Sequence, residues 1–316
     1  MVSSNRKVLI TCPPMIRTFH EVASTLDHRG LQADCAEVVQ VLSEDELIGL
    51  VPKYDAWIIG DDPATYNVLA AGKNGKLKAC VKWGVGTDNV DAAAMKALSI
   101  PWANTPGMFG NEVADVALGY VIGLARSLFQ IDRATREGEW IKPTGISLAG
   151  KRVALVGYGD IGQQTCNRLI ACGMNVTIYD PTLTSGQQLG ENRCVGEWPV
   201  GVHAHDFVVL TCALTPHNRH MLNADVLSKC DGIRVVNVAR GPLIDEVALV
   251  EALANGSVDS VALDVFEEEP LPLSAPLRRH PNTVFGSHNG SNTIDAVIKT
   301  NVRAINLIDE LLAGGG

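Results

Sequence analysis

The chain of 316 residues reads as an α/β protein built from two doubly wound, parallel-sheet domains. Three observations carry this expectation. The length exceeds what one hydrophobic core usually supports. Short apolar runs alternate with segments of helical period along most of the chain. The stretch from Lys151 to Asp180 joins a buried strand, a glycine turn, a helix and a second strand ending on a carboxylate.

Residues 7–12 form an apolar run stopped by Pro13-Pro14, which suits a buried strand. A helical pattern covers residues 15–29, with Gly30 placed to cap it. Residues 36–41, 56–60 and 78–82 read as further strands. Ser43-Glu-Asp-Glu46 reads as a capping box opening a helix towards Leu50. In Lys82-Trp-Gly84-Val85-Gly86 a strand opens into glycines, whose free N–H groups suit a carboxylate. A plain turn closed by Asp88 and Asn89 is the alternative. Asn104-Thr-Pro106-Gly107 punctuates the chain as a hinge. Residues 113–129 are apolar nearly all round, as in a helix buried between domains or subunits.

The second domain begins with residues 153–156, a strand buried on both faces. Gly157 permits the tight turn, Gly159 lets a pyrophosphate approach the backbone, and Gly162 lets the helix pack on the strand. That helix N-terminus then faces the phosphates with unpaired N–H groups. Asp180 follows at roughly the 20-residue interval where a carboxylate accepts a ribose diol. Strands are expected at 206–211, 233–238, 260–265 and 283–285, with helices at 224–230 and 246–254. A last helix over 293–312 is expected to return to the first domain.

A net charge of −9 argues against nucleic acid or an anionic membrane as partner. The eight cysteines form no CxxC pair, so they read as reduced and the chain as cytoplasmic. No signal peptide is visible, and neither a metal nor a membrane is expected.

Three ionisable residues stand just past strand ends, the ligand-binding edge of such sheets. Arg240 follows Val235-Val-Asn-Val-Ala, Glu269 follows Ala262-Leu-Asp264-Val-Phe, and His288 follows Val284-Phe-Gly-Ser. A guanidinium can hold a carboxylate in a planar fork and polarise a neighbouring carbonyl. An imidazole can deliver or remove the proton that accompanies hydride transfer, and a glutamate beside it fixes the ring.

Gly157-Tyr-Gly-Asp-Ile-Gly162, Val236-Asn-Val-Ala-Arg240-Gly-Pro-Leu-Ile-Asp245, Ala262-Leu-Asp264-Val-Phe-Glu-Glu-Glu269-Pro270 and His288 together resemble the D-isomer-specific 2-hydroxyacid dehydrogenase family, above all its 3-phosphoglycerate-dehydrogenase-like group. The resemblance spans nearly the whole chain. It implies two Rossmann-like domains with a cleft between them. Residues 1–104 plus 289–316 would form a discontinuous substrate domain and residues 105–288 the NAD domain, in a homodimer built on the latter. By the same comparison Arg240, Glu269 and His288 are catalytic, and Lys82, Val85, Gly86 and Arg240 bind substrate. NAD contacts fall on Gly157, Gly159, Asp160, Ile161, Gly162 and Asp180, then on Thr215, Val238, Ala239 and Asp264, the last at the carboxamide.

The chain also departs from the pattern. Thr211 and Ala213 stand where many members carry His and Pro, and Asn289 follows His288 in place of an apolar residue. Lys82 stands where phosphoglycerate-oxidising members place a phosphate-binding Arg, so a second anionic group on the substrate is expected, with a strand-end lysine of no such role as the alternative. Asp180 should favour NAD over NADP. Glyoxylate or hydroxypyruvate reduction is the competing activity, and an NAD-sensing corepressor-like protein the rival of another class.

Overall fold

The computed structural model describes residues 6–314. The chain divides into two compact units: residues up to Phe109 together with those from Asn292 onward, and Gly110–Ser291.

In the first unit five parallel strands, β1 (Arg6–Ile10), β2 (Leu31–Cys35), β3 (Ala56–Ile59), β4 (Ala79–Lys82) and β5 (Trp102–Asn104), lie in the order β2-β1-β3-β4-β5. Every residue of β3 and β4 is buried, as a strand covered on both faces requires. The strand expected at 36–41 sits earlier. β2 starts directly after Gly30 (φ +64°), pairs Leu31 with Arg6, and ends with the Ala36 N–H on the Ile10 carbonyl. Val39 then lies almost fully exposed. The helix expected over 15–29 is broken at Thr18, whose hydroxyl donates to the Pro14 carbonyl at 2.9 Å. The capping box at Ser43 and Glu46 is present.

Strand order reverses between β1 and β3, the place where such sheets usually open a crevice. Here that place is filled by the fully buried Asp62, which accepts hydrogen bonds from Thr11 Oγ1 and from the Leu42 and Gly60 amides. Burial pushes its carboxyl up despite these donors.

The last helix, Ile294–Gly314, belongs to this unit. Its buried Asn301 accepts the Trp83 indole N–H at 2.8 Å and donates to Thr18 Oγ1 at 2.9 Å. Asp309 receives Arg6 at 2.7 Å and Arg29 at 3.1 Å. The unit continues past Asn104 because Thr105 exchanges hydrogen bonds with Gly84 and Phe109 packs on Trp83 at 5.2 Å between ring centroids.

The second unit holds eight strands: β6 (Arg152–Val156), β7 (Asn175–Tyr179), β8 (Gln188–Gly190), β9 (Arg193–Gly196), β10 (Phe207–Leu210), β11 (Ile233–Asn237), β12 (Val258–Leu263) and β13 (Thr283–Phe285). Their order is β13-β12-β11-β10-β6-β7-β9-β8, parallel except for β8 against β9. The β8–β9 hairpin was not expected, being two short segments with little apolar signal. β6 lies between β10 and β7, so strand order reverses where the glycine turn begins.

The helix Gly110–Arg126 packs beside the helix Asp160–Ala171 and is pinned to it by Arg168 on Asp115 at 2.7 Å. The chain then bends by 68° at Ser127 (φ +52°) into Leu128–Arg136. Among the described residues no single helix is long and apolar enough to cross a membrane.

Candidate active site

The glycine turn owes its shape to missing side chains. Gly157 has φ +95°, and a Cβ there would lie 2.6 Å from the Cys212 backbone. A Cβ on Gly162 would lie 2.1 Å from the Gly157 carbonyl oxygen. A Cβ on Gly159 would meet nothing within 4 Å, so the backbone there is open to a ligand. Thr211 Oγ1 donates to the Val156 and Gly157 carbonyls, both at 3.0 Å, and so braces the turn from β10. The helix Asp160–Ala171 has no side-chain cap, leaving its first N–H groups for an anion. Ile161 lies in that first turn, and the Asp160 carboxylate rests against Gly110.

Asp180 ends β7. Burial alone would push its carboxyl up, yet bonds from the Thr182 hydroxyl and amide and from the Tyr158 amide bring it below the ordinary carboxylate value. Oδ2 takes the Tyr158 N–H at 2.7 Å, and Oδ1 takes the Thr182 amide at 2.9 Å and hydroxyl at 2.6 Å. A carboxylate offers about four acceptor sites, so a ribose hydroxyl can still be received. The open glycine backbone, uncapped helix and ionised Asp180 fit a dinucleotide such as NAD.

Arg240, Glu269 and His288 follow β11, β12 and β13, three neighbouring strands of one sheet. His288 Nδ1 lies 2.7 Å from Glu269 Oε2. The other Glu269 oxygen accepts the Phe266 N–H at 2.9 Å, so the carboxylate is held at both ends. A carboxylate at Nδ1 fixes the orientation and tautomer of the imidazole ring. His288 has φ +55°, a left-handed conformation that costs a non-glycine residue about 1–3 kcal/mol and often marks functional positions.

Asp264 maintains that conformation. It is 3% exposed, and its oxygens accept the Asn289 and Gly290 amides at 3.2 and 2.8 Å while its carbonyl accepts the His288 N–H at 2.6 Å. Burial, with Asp264 beside it, raises the Tyr120 hydroxyl above its ordinary value. The carboxamide contact implied by resemblance would thus draw on a carboxylate already holding the His288 loop. Asn289, a departure in the sequence, contributes its amide to this anchor.

Sequence reasoning missed the residue that sets Arg240. Fully buried Asn237 donates to the Arg240 carbonyl at 2.8 Å and accepts the Ala239 N–H at 3.0 Å, closing the turn after β11. The guanidinium donates to the Ala239 carbonyl at 2.8 Å. Val238 and Ala239 are buried in this turn, whereas Thr215 lies after β10 with its N–H on Asn218 Oδ1 at 2.7 Å.

Lys82, Val85 and Gly86 lie in the first unit at the carboxyl end of β4. Gly84 has φ +124°, Val85 is partly exposed, and the Val85 carbonyl accepts Asn104 Nδ2 at 2.8 Å. Lys82 is 3% exposed, and its ammonium donates to the Gly60 carbonyl at 2.6 Å and to Asp61 at 3.0 Å. Lys82 is thus an ammonium held at the strand end by a carbonyl and a carboxylate.

Residues 118–290 match the family model described as D-isomer specific 2-hydroxyacid dehydrogenase, NAD binding domain. The chain is 33% identical over 273 residues to a hydroxypyruvate reductase of Thermotoga maritima, covering 84% of this chain and 88% of that protein. It is 35% identical over 298 residues to a D-3-phosphoglycerate dehydrogenase of Methanocaldococcus jannaschii, covering 92% of this chain but 54% of that protein, so it spans about half the length of such relatives. The crystal structure of TT0316 from Thermus thermophilus superposes with a TM-score of 0.84 at 30% identity, covering 98% and 97% of the two chains. With a dinucleotide turn at the reversal of the sheet, and with this likeness in sequence and fold, the chain belongs to the D-isomer-specific 2-hydroxyacid dehydrogenase family of NAD-dependent enzymes.

Proposed function

We propose that the protein interconverts a small D-2-hydroxy acid and its 2-oxo acid, with His288 as proton donor and acceptor and Arg240 as carboxylate binder. The observation that carries this reading is the 2.7 Å contact between His288 and Glu269. NAD supplies the hydride acceptor in one direction and, reduced, the donor in the other. Arg240 binds the substrate carboxylate and polarises the carbonyl beside it. His288 passes a proton from Nε2 to the carbonyl oxygen, while Glu269 holds the ring and balances its charge. We also propose that Val85 and Gly86, on the first unit, offer backbone N–H groups to an anion. We further propose a homodimer built on the NAD domain; exposed Leu128, Phe129 and Trp140 on that unit support it.

The substrate class turns on Lys82. An ammonium already paired with Asp61 favours plain acids such as glyoxylate or hydroxypyruvate over the second anionic group read from the sequence. In a screen that follows NADH absorbance, plain 2-oxo acids give a higher kcat/KM than phosphorylated or phosphonylated ones, and Asp61→Asn narrows the gap. No oxidation of NADH with any 2-oxo acid would refute the activity. A preference for phosphorylated acids would refute the Lys82 reading alone.

Cofactor choice follows from Asp180, whose charge repels a 2′-phosphate. NADH gives a kcat/KM at least about tenfold above NADPH, a difference of about 1.4 kcal/mol, and Asp180→Ser reduces it. Equal values in the wild-type enzyme would remove the role of Asp180.

A further inference from the structure

Arg240 and Glu269 stand on different loops, and two acidic residues outside the described machinery join those loops. The Glu246 N–H donates to Glu267 Oε1 at 3.1 Å, and the Glu267 N–H donates to Glu246 Oε1 at 2.7 Å. Each carboxylate therefore holds the other residue's backbone. The loops also touch where Gly241 follows Arg240: a Cβ there would lie 1.8 Å from the Phe266 carbonyl carbon. The Phe266 N–H in turn fixes Glu269.

We propose that Glu246 and Glu267 are positioning residues, which hold the Arg240 loop and the Glu269 loop in one register and so set the guanidinium against the His288–Glu269 pair; this rests on the dehydrogenase reading above. A simpler role in capping the helix Glu246–Asn255 does not account for Glu246, because Asp245 already accepts the Val247 and Ala248 amides, both at 3.1 Å. Chance proximity does not account for the pair either. Burial, and then Glu267, Glu269 and Glu268, push the Glu246 carboxyl up, so two carboxylates stay together against repulsion. The amide donors offset that repulsion, as does the Arg219 guanidinium at 3.8 Å from Glu267.

The test compares Glu246→Ala, Glu267→Ala, their double variant, Glu246→Gln and Glu267→Gln. Each alanine variant lowers kcat for the preferred 2-oxo acid about tenfold or more, the scale of a small misplacement of reacting groups, while the Kd for NADH stays within about twofold. The double variant is no worse than the poorer single one, because both act at one junction. Glutamine retains a carbonyl acceptor and recovers most of the rate. Amide hydrogen exchange shows the reciprocity: Glu267→Ala exposes the amide of residue 246, and Glu246→Ala that of residue 267. Wild-type kcat in the alanine variants, losses that multiply in the double variant, or glutamine as damaging as alanine would overturn the proposal. If the wild-type protein reduced no 2-oxo acid, the dehydrogenase reading would fall by itself, and unchanged amide exchange in the alanine variants would then still overturn the clamp.

Discussion

Replacing His288 by Asn lowers kcat for 2-oxo acid reduction by roughly 10²–10⁴-fold, the contribution of a positioned acid–base group, while NADH binds with nearly unchanged Kd. Asn is the informative choice because residue 288 has φ +55°, and Asn tolerates that conformation better than most side chains. Its N–H₂ can still meet Glu269, so the Asp264 anchor and the loop survive while the titratable nitrogen is lost. Glu269→Gln is milder and has its own signature. A glutamine cannot accept both the Phe266 N–H and the imidazole N–H with two oxygens as the carboxylate does. Without that negative charge the protonated ring is less favoured, so the decline of reduction with rising pH begins at lower pH. Near-normal turnover in His288→Asn would show that another group carries the proton.

Much of the proposed site is visible before any fold is built, because its ionisable residues stand at strand ends. Arg240, Glu269 and His288 each follow an apolar run, and the glycine turn keeps its spacing through local backbone needs that only glycine meets. What stayed hidden depends on contacts between distant segments. Asp264 lies in a conspicuous motif, yet only folding shows its carboxylate gripping the loop of His288. Glu246 and Glu267 look like ordinary surface acids until β11 and β12 bring their loops together. The pairing of Lys82 with Asp61, 21 residues away in sequence, is likewise invisible before folding. The misplaced strand at 36–41 has a similar cause: an edge strand is chosen by backbone pairing with β1, and the Gly30 turn starts that pairing at Leu31 whatever the later valines prefer.

Arg240→Ala has the largest expected effect on kcat/KM. A charged hydrogen bond to the substrate carboxylate is worth about 1.5–3 kcal/mol, which is roughly 10- to 10²-fold. A donor that stabilises charge developing on the carbonyl oxygen contributes a further 10²–10³-fold or so. Together these give a loss of roughly 10³–10⁵-fold, with both KM and kcat affected because the two parts act before and during hydride transfer. Arg240→Lys separates them. Lysine restores the charge as a single point but not the fork, so it recovers part of KM and little of kcat. Asn237 still closes the turn in either variant through the Arg240 carbonyl and the Ala239 N–H, while Arg240→Ala also loses the bond from the guanidinium to the Ala239 carbonyl. Combining Arg240→Ala with His288→Asn should cost much less than the product of the single losses, as residues serving one transition state do. Full recovery of kcat by lysine would mean that a diffuse positive charge is enough, and the planar carboxylate grip assigned to Arg240 would have to be abandoned.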